Sequence, residues 1–482
     1  MNGETGSAKT SGPRFVPEFL VEIFTGANRF VTGIALLAAL GGLLFGFDTG
    51  VVSGALPYIA KTFHLNSFGE SWVVGSLLLG AVGGAFLSGK LADLLSRKWT
   101  KFCAGCVFTC AGLWSALSPD FASLIAARVV LGVAVGTSSF VAPMYIAEQS
   151  PRRLRGGMTA LNQFAGITLG ILLAYVADFG LVGFSNNWRW MFGFEALPGI
   201  ALAVAMAFVP HTPRWLVQQS RTAEAAAVLE RTGSGTDPNL EIRDIEQVAH
   251  SQHAFRLRQL VSPRMRMLLV VGVGMAIFQQ VLGINTVIYF GTTILHFTGV
   301  KLSTSVAETV FIGIVNFAFA GVAVLLIDKV GRKPLLVLSA VGCTLTLIVL
   351  GIYFSQGSGF QHVNADLALA ALLGYLAFFE IGLGPVFWVM IAEIYPLRSR
   401  PKAMAVATMF NWGFNFLVSY YFLQMTDLMG KPGTFWLYAG LGVCAAVFFV
   451  RFVPETRHRS LEEIERQVTG RAGEDESLET AA

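Results

Sequence analysis

The sequence predicts an all-α polytopic membrane protein, with twelve transmembrane helices arranged as two pseudo-symmetric six-helix bundles. Three observations carry that reading. The chain is 54% hydrophobic and only 13% charged, against about 25% charged in ordinary soluble domains. Apolar stretches long enough to cross a bilayer core of about 30 Å recur along its whole length. The chain also repeats its own loop motifs at an offset of about 240 residues, a mark of internal duplication.

Twelve apolar stretches span roughly 30–56, 70–91, 101–118, 121–145, 158–180 and 188–209, then 265–292, 303–327, 335–356, 366–391, 403–426 and 432–453. Of the 34 Lys and Arg, 29 fall in the termini and in alternate loops, from Lys90–Lys101 to Arg398–Lys402. The opposite loops hold Lys61, Arg189, Lys301 and Lys431, and Arg128 lies within a span, away from its ends. The positive-inside rule then predicts that both termini face the cytoplasm. Residues 1–29 are polar and unlike a cleavable signal peptide. No basic stripe interleaves with aromatics, so nucleic acid is not an expected partner. Cys103, Cys106, Cys110, Cys343 and Cys444 all sit in apolar helices, and no acidic or His partner joins the first three on their shared helix, which implies neither a metal site nor a disulfide framework.

Four pairs of segments repeat in one order. "LADLLSRK" (91–98) matches "LIDKVGRK" (326–333), and "AEQSPRRLR" (147–155) matches "AEIYPLRSR" (392–400). "VPHTPRWL" (209–216) matches "VPETRHRSL" (453–461), and "FGFDTGVVSG" (45–54) matches "LGINTVIYFG" (282–291), setting Asp48 opposite Asn285. The expected organisation is a cytoplasmic segment (1–29), one bundle (30–210), a charged cytoplasmic linker (211–264), a second bundle (265–453) and a cytoplasmic tail (454–482). In the linker, Asp237 is placed to cap a helix starting at Pro238, with Ile242, Ile245 and Ala249 on one face. "SLEEIERQV" (460–468) opens with a capping box, and the acidic end reads as disordered. GxxxG spacings at Gly80/Gly84, Gly132/Gly136 and Gly166/Gly170 predict close helix contacts.

Polar groups inside such stretches are expensive and should face the bundle interior or a water-filled cavity. They are Asp48, Arg128, Asn162, Gln163, Glu195, Gln279, Gln280, Asn285, Asn316, Glu380, Asn411 and Asn415. Amides dominate, and an amide both donates and accepts without needing a counter-ion. Trp388 and Trp412 add flat faces on which the C–H side of a sugar or polyol can rest. Together they suit a neutral polyhydroxylated ligand, although single amides also serve to join helices. Gln279, Gln280 and Asn285 do not share one face of a straight helix, so local unwinding at Gly283 is expected, while Asn285 and Tyr289 do share a face. Gly382, Gly384 and Pro385 should make the tenth stretch bendable near Glu380, which suits gating or packing.

These motifs, with "FQQVLGINTVIYF", "GLGPVFWVMIAEIYP" and "NWGFNF", resemble the sugar-porter branch of the major facilitator superfamily across about residues 30–465. The resemblance implies sugar contacts at Gln163, Gln279, Gln280, Asn285, Asn316, Trp388, Asn411 and Trp412, to which Tyr289 is added by its shared face. It also implies a cytoplasmic gate of ion pairs, holding an outward-open state, from Asp93, Arg97, Glu148 and Arg155 with Asp328, Arg332, Glu393 and Arg400. Proton-coupled members have an acid matching Asp48, an arginine matching Arg128 and in some cases an acid matching Glu195. Departures are His211 and Thr212 for the usual Glu-Ser, Ser96 for Gly and Pro401 for Gly, and they should touch loop packing alone.

An aspartate buried alone favours its protonated form, and a nearby cation reverses that. Asp48 and Arg128 are therefore expected to form a switchable pair in a proton-coupled symporter of a monosaccharide or cyclic polyol. The alternative is a permanent brace in a facilitator without proton coupling. A non-transporting sugar sensor is the reading from another class, against which the short tail argues. No HExxH motif or nucleophile–base arrangement points to an enzyme. No cofactor is expected beyond the proton as coupling ion, and the expected partners are the sugar, protons and lipid, with the chain working as a monomer in the cell membrane.

Overall fold

The computed structural model describes residues 29–150, 158, 166–232, 237–254, 257–357, 364–396 and 399–457. Among these, ten helices are long and apolar enough to span a membrane, and a shorter apolar helix covers the described part of the fifth stretch. The first half contains α1 (Arg29–Phe63), α2 (Ser67–Leu94), α3 (Ser96–Leu117), α4 (Phe121–Gln149) and α5 (Leu169–Leu181). Its sixth span comprises α6 (Asn187–Gly193) and α7 (Ala196–Phe208), which follow one another through Phe194 and Glu195 in helical backbone. The linker forms α8 (Pro213–Gln218), α9 (Thr222–Thr232) and α10 (Pro238–Ala254). The second half contains α11 (Pro263–Val281), α12 (Ile284–Tyr289), α13 (Gly291–His296), α14 (Leu302–Val330), α15 (Arg332–Ser355), α16 (Ala365–Ile381), α17 (Leu383–Glu393) and α18 (Arg400–Phe452). The eleventh and twelfth stretches run together in α18, parted by Gly430 at φ 76°, a conformation that favours glycine.

The glycine spacings explain how the first half closes. A Cβ at Gly80 or Gly84 would strike the carbonyls of Val129 and Val133, and one at Gly132 or Gly136 those of Leu77 and Ala81. The two GxxxG faces of α2 and α4 therefore lie backbone to backbone, which only small residues permit. Without a hydrophobic force between helices in lipid, that contact supplies dispersion in its place.

The two halves meet most closely at the ends away from the Arg97 and Arg332 loops. Ser53 Oγ lies 3.2 Å from Thr292 Oγ1, and Tyr175 donates to the Ile288 carbonyl at 2.9 Å. Ser71 donates to Gln424 at 3.2 Å, and the ring of Trp72 packs edge-on against Tyr420 at 5.3 Å. The conformer is thus sealed across these ends of α1, α2, α5, α12, α13 and α18.

In the linker, Asp237 accepts from the Asn239 amide at 2.9 Å and starts the helix at Pro238 as its sequence requires. Ile242 joins Leu216, Ala225, Val228 and Leu229 in a small separate core. Ile245 is half-buried, whereas the Ala249 side chain and the 460–468 segment lie outside the described residues. Lys101 corrects one expectation. It is not a loop charge: its side chain is fully buried, and Nζ donates to the Ala38 carbonyl of α1 at 2.5 Å. Arg128 is therefore not the sole buried cation.

Candidate functional site

Asp48 lies near the middle of α1 and Arg128 on α4, each with a side chain only 1% exposed. Arg128 Nη1 donates to Asp48 Oδ1 at 2.6 Å, while its Nε donates to the Val73 carbonyl of α2 at 3.1 Å. Its guanidinium also covers the Phe192 ring at 5.2 Å. That spends the arginine on one carboxylate, one carbonyl and one aromatic face. Asp48 Oδ2 and both oxygens of Glu195 have no hydrogen-bond partner among the described residues. Glu195 is buried beside Asp48, at the junction of α6 and α7. Two acids thus share one guanidinium, an arrangement whose charge balances only while one of the acids holds a proton.

The second half builds a different core. Gly283 at φ 90° ends α11 and restarts the chain as α12, so Asn285 turns back toward Gln280. Asn285 donates to Gln280 Oε1 at 2.7 Å, and Gln280 donates to Asn411 Oδ1 at 3.1 Å. Asn411 donates to Gln279 Oε1 at 2.6 Å, and Gln279 donates to the Leu383 and Gly384 carbonyls at 2.9 and 3.2 Å. Four amides from three helices therefore form one chain, none of them charged. It ends on buried carbonyls beside the bend at Gly382, where a Cβ would strike the Leu335 carbonyl.

Asn316 donates to Glu380 at 2.9 Å, and the Glu380 carboxyl borders Gly384. That joins Asn316 to the same bend. Tyr289 is buried at the junction of the halves, near Thr49 of α1 and Asn415 of α18. Trp412 is buried with its ring 5.4 Å from Phe45 of α1, whereas Trp388 is half-buried on α17 against Phe387. Gln163 and Arg155 lie outside the described residues, as does the side chain of Asp328.

The gate residues form ion pairs, but within each half. Arg97 lies 3.1 Å from Asp93 and 3.2 Å from Glu148. Arg332 lies 3.0 Å from Glu393, and Arg400 donates to the Tyr395 carbonyl at 3.1 Å. Each motif arginine also donates to a carbonyl five residues back, Ala92 or Ile327, at 3.2 Å, so the duplication extends to single bonds. Among the described residues no ion pair joins one half's loops to the other's, and the network is expected for the outward-open state, which this conformer is not.

Two buried groups escaped the sequence reading. Asp178 of α5 is fully buried with neither oxygen hydrogen-bonded. It stands close to the end of its apolar stretch, where an aspartate reads as interfacial. Lys101 stands at the start of its stretch and reads as loop charge. Only the neighbouring helices show that both are enclosed.

A family model described as "Sugar (and other) transporter" matches residues 34–468. The D-xylose transporter of Levilactobacillus brevis is 39% identical over 447 residues, covering 92% of this chain and 96% of that protein. The galactose-proton symporter of Escherichia coli is 36% identical, covering 90% and 94%. A partially occluded inward-open structure of the E. coli xylose transporter XylE superposes with a TM-score of 0.78 at 30% identity, covering 90% of this chain and all of that one. The proton:xylose symporter XylE bound to 6-bromo-6-deoxy-D-glucose gives 0.76 at 29% identity, covering 92% and 100%.

Proposed function

Since the chain belongs to the sugar-transporter family, with the major facilitator fold, we propose that it is a proton-coupled symporter of a monosaccharide or related cyclic polyol. It is a carrier and not an enzyme, and it works by alternating access of its two halves. The observation that carries the coupling is the buried Asp48–Arg128 bridge with Glu195 beside it. The relatives that bear the names of xylose, arabinose and galactose transporters support a pentose or hexose as cargo.

With Asp48 ionised, the bridge ties α1 to α4 and, through Val73, to α2. A proton reaching Asp48 from outside removes the charge that holds the guanidinium and frees α1 to move. Sugar hydroxyls replace bonds of the amide chain Asn285–Gln280–Asn411–Gln279, with Gln163, Asn316, Tyr289, Trp388 and Trp412 completing the site. α1 touches both events, since Phe45 meets Trp412 three residues before Asp48. Proton and sugar then favour the same occluded state, which is coupling in the thermodynamic sense. A membrane potential adds about 2.3 kcal/mol per charge per 100 mV. The loop charges support placing both termini in the cytoplasm, in the cell membrane. The proton is the only coupling ion proposed, and a monomer carries all the parts named.

Purified protein in liposomes tests this with labelled pentoses, hexoses and inositol, with and without an inward proton gradient. Accumulation above equilibrium that follows the gradient is expected. Simple equilibration indifferent to the gradient would make the protein a facilitator, and binding without uptake would make it a sensor.

A further inference from the structure

Among the described residues, Asp178 is the one fully buried carboxylate of the first half that the coupling pair leaves unused. Its carboxyl lies against α1 at Gly54, where any Cβ would strike Oδ2 and where the Gly54 backbone amide runs alongside. Gly54 stands six residues beyond Asp48, or ~9 Å further along the helix toward the sealed outer end. Tyr58 stands one turn beyond Gly54 and is half-buried at the outer end of α1. The titratable groups facing Asp178 are Tyr58 on α1, Tyr175 on its own helix and Glu195 at the junction of α6 and α7. Tyr175 is occupied with the Ile288 carbonyl. Among these groups no cation faces Asp178, unlike Asp48 with its arginine.

We propose that Asp178 is the outer proton-loading residue of the transporter, feeding the Asp48–Glu195 pair from outside along the line Tyr58, Asp178, Glu195, Asp48. A buried carboxyl with no cation beside it is a place at which a proton can be taken up and handed inward. The ~9 Å between the levels of Asp178 and Asp48 exceeds a single hydrogen-bond step. Glu195, next to Asp48 and within the field of Asp178, divides the path. Asp48 takes the Glu195 proton and releases Arg128, Glu195 takes the Asp178 proton, and Asp178 is reloaded from external water past Tyr58. One proton leaves the outside, Asp48 gains one, and the two intermediate acids end as they began. Gly54 fits this role, because its missing side chain is what lets the carboxyl press against α1 between the two levels.

The inference rests on the symport reading, and the test separates the two. Gradient-driven uptake and counterflow exchange at symmetrical pH are measured in liposomes for wild type, Asp178→Asn, Asp178→Glu and Asp48→Asn. Asp178→Asn should slow gradient-driven uptake on the order of tenfold, less than the hundredfold or more typical of a positioned acid–base group because Glu195 keeps its own proton. The deficit should widen as the outside is made alkaline, while exchange and final accumulation stay as in wild type and Asp178→Glu restores the rate. An Asp178→Asn protein with the wild-type rate and pH profile would overturn the loading role and leave symport intact. Loss of exchange together with uptake would make Asp178 a structural brace. A wild type that never accumulates sugar would overturn both readings.

Discussion

Asp48 and Asn285 occupy matching places in two copies of one ancestral pattern, yet the halves around them differ in kind. In the first half the matched position is an ion, bridged to Arg128 and backed by Glu195. In the second it is an amide, linked through Gln280 and Asn411 to Gln279. A carboxylate can gain and lose a proton, and an amide cannot, but an amide matches hydroxyls of either polarity. Duplication therefore supplied two equivalent positions, and one came to hold titratable charge while the other came to hold neutral recognition. The same divergence recurs at the loop junction. Glu455 accepts from the Arg332 and Lys333 amides, both at 3.1 Å, at the start of α15. Its counterpart His211 instead meets Ser96 Oγ at 3.1 Å and stacks on Trp215 at 4.6 Å. Two departures from the family pattern, His211 and Ser96, are thus partners in one contact.

The largest break in the comparison should come from Asp48→Asn, which makes the first half as neutral as the second. Accumulation against a gradient should be lost entirely while counterflow exchange survives; retained accumulation would remove Asp48 from coupling. Arg128→Met should strand the acids without their cation and cost about 3–5 kcal/mol, as for breaking other buried pairs. Thermal unfolding in detergent reads this, and adding Asp48→Asn should recover most of the loss. If the double variant is no better than the single, the bridge is not what the arginine stabilises.

In the neutral half, Asn411→Ala should leave Gln279 and Gln280 short of a partner. The cost of about 1–3 kcal/mol corresponds to roughly ten- to a hundredfold weaker sugar binding, with the proton dependence unchanged. Tryptophan fluorescence titration would show it, and a shifted proton dependence would contradict the division of labour between halves.

The smallest effect separates the two loop junctions by pH. Burial, with Lys98 and Arg221 nearby, holds the His211 imidazole below its ordinary value of 6.5. Protons then favour the unfolded junction, so its stability is full above pH 6.5 and falls as pH drops through the folded value. Burial pulls the Glu455 carboxyl up, but the amides of Arg457, Arg332, Lys333 and Thr456 outweigh it and hold it below its ordinary 4.5. That junction should keep its stability until pH falls below 4.5. Hydrogen exchange around Ser96 and around Arg332 should therefore diverge between those two values, and His211→Glu should bring them together. Parallel loss at both junctions would refute the distinction.

Much of this was legible in the sequence because a bilayer imposes strict rules. A chain in lipid must satisfy its backbone within helices, so runs of apolar residues announce spans, and a polar residue inside one announces an interior. Asp48, Gln279, Gln280, Asn285 and Asn411 stood out for that reason. Gly283 did too, since no straight helix could bring its neighbouring amides together. What periodicity cannot convey is which neighbours close over a position near the end of a span. Asp178 and Lys101 looked like boundary residues until α1 was seen lying against each of them.

The sequence by itself determined the class of molecule, the two-fold repeat and the set of polar side chains that lipid would not tolerate, because those follow from local composition and the cost of desolvation. Only the tertiary structure decided which of them are partners. It put one guanidinium on Asp48 with a second acid beside that carboxylate, linked four amides through a broken helix, and kept the described gate charges within their own halves. Those outcomes depend on contacts between helices more than fifty residues apart, on backbone breaks at Gly283 and Gly382, and on which end of the molecule is sealed.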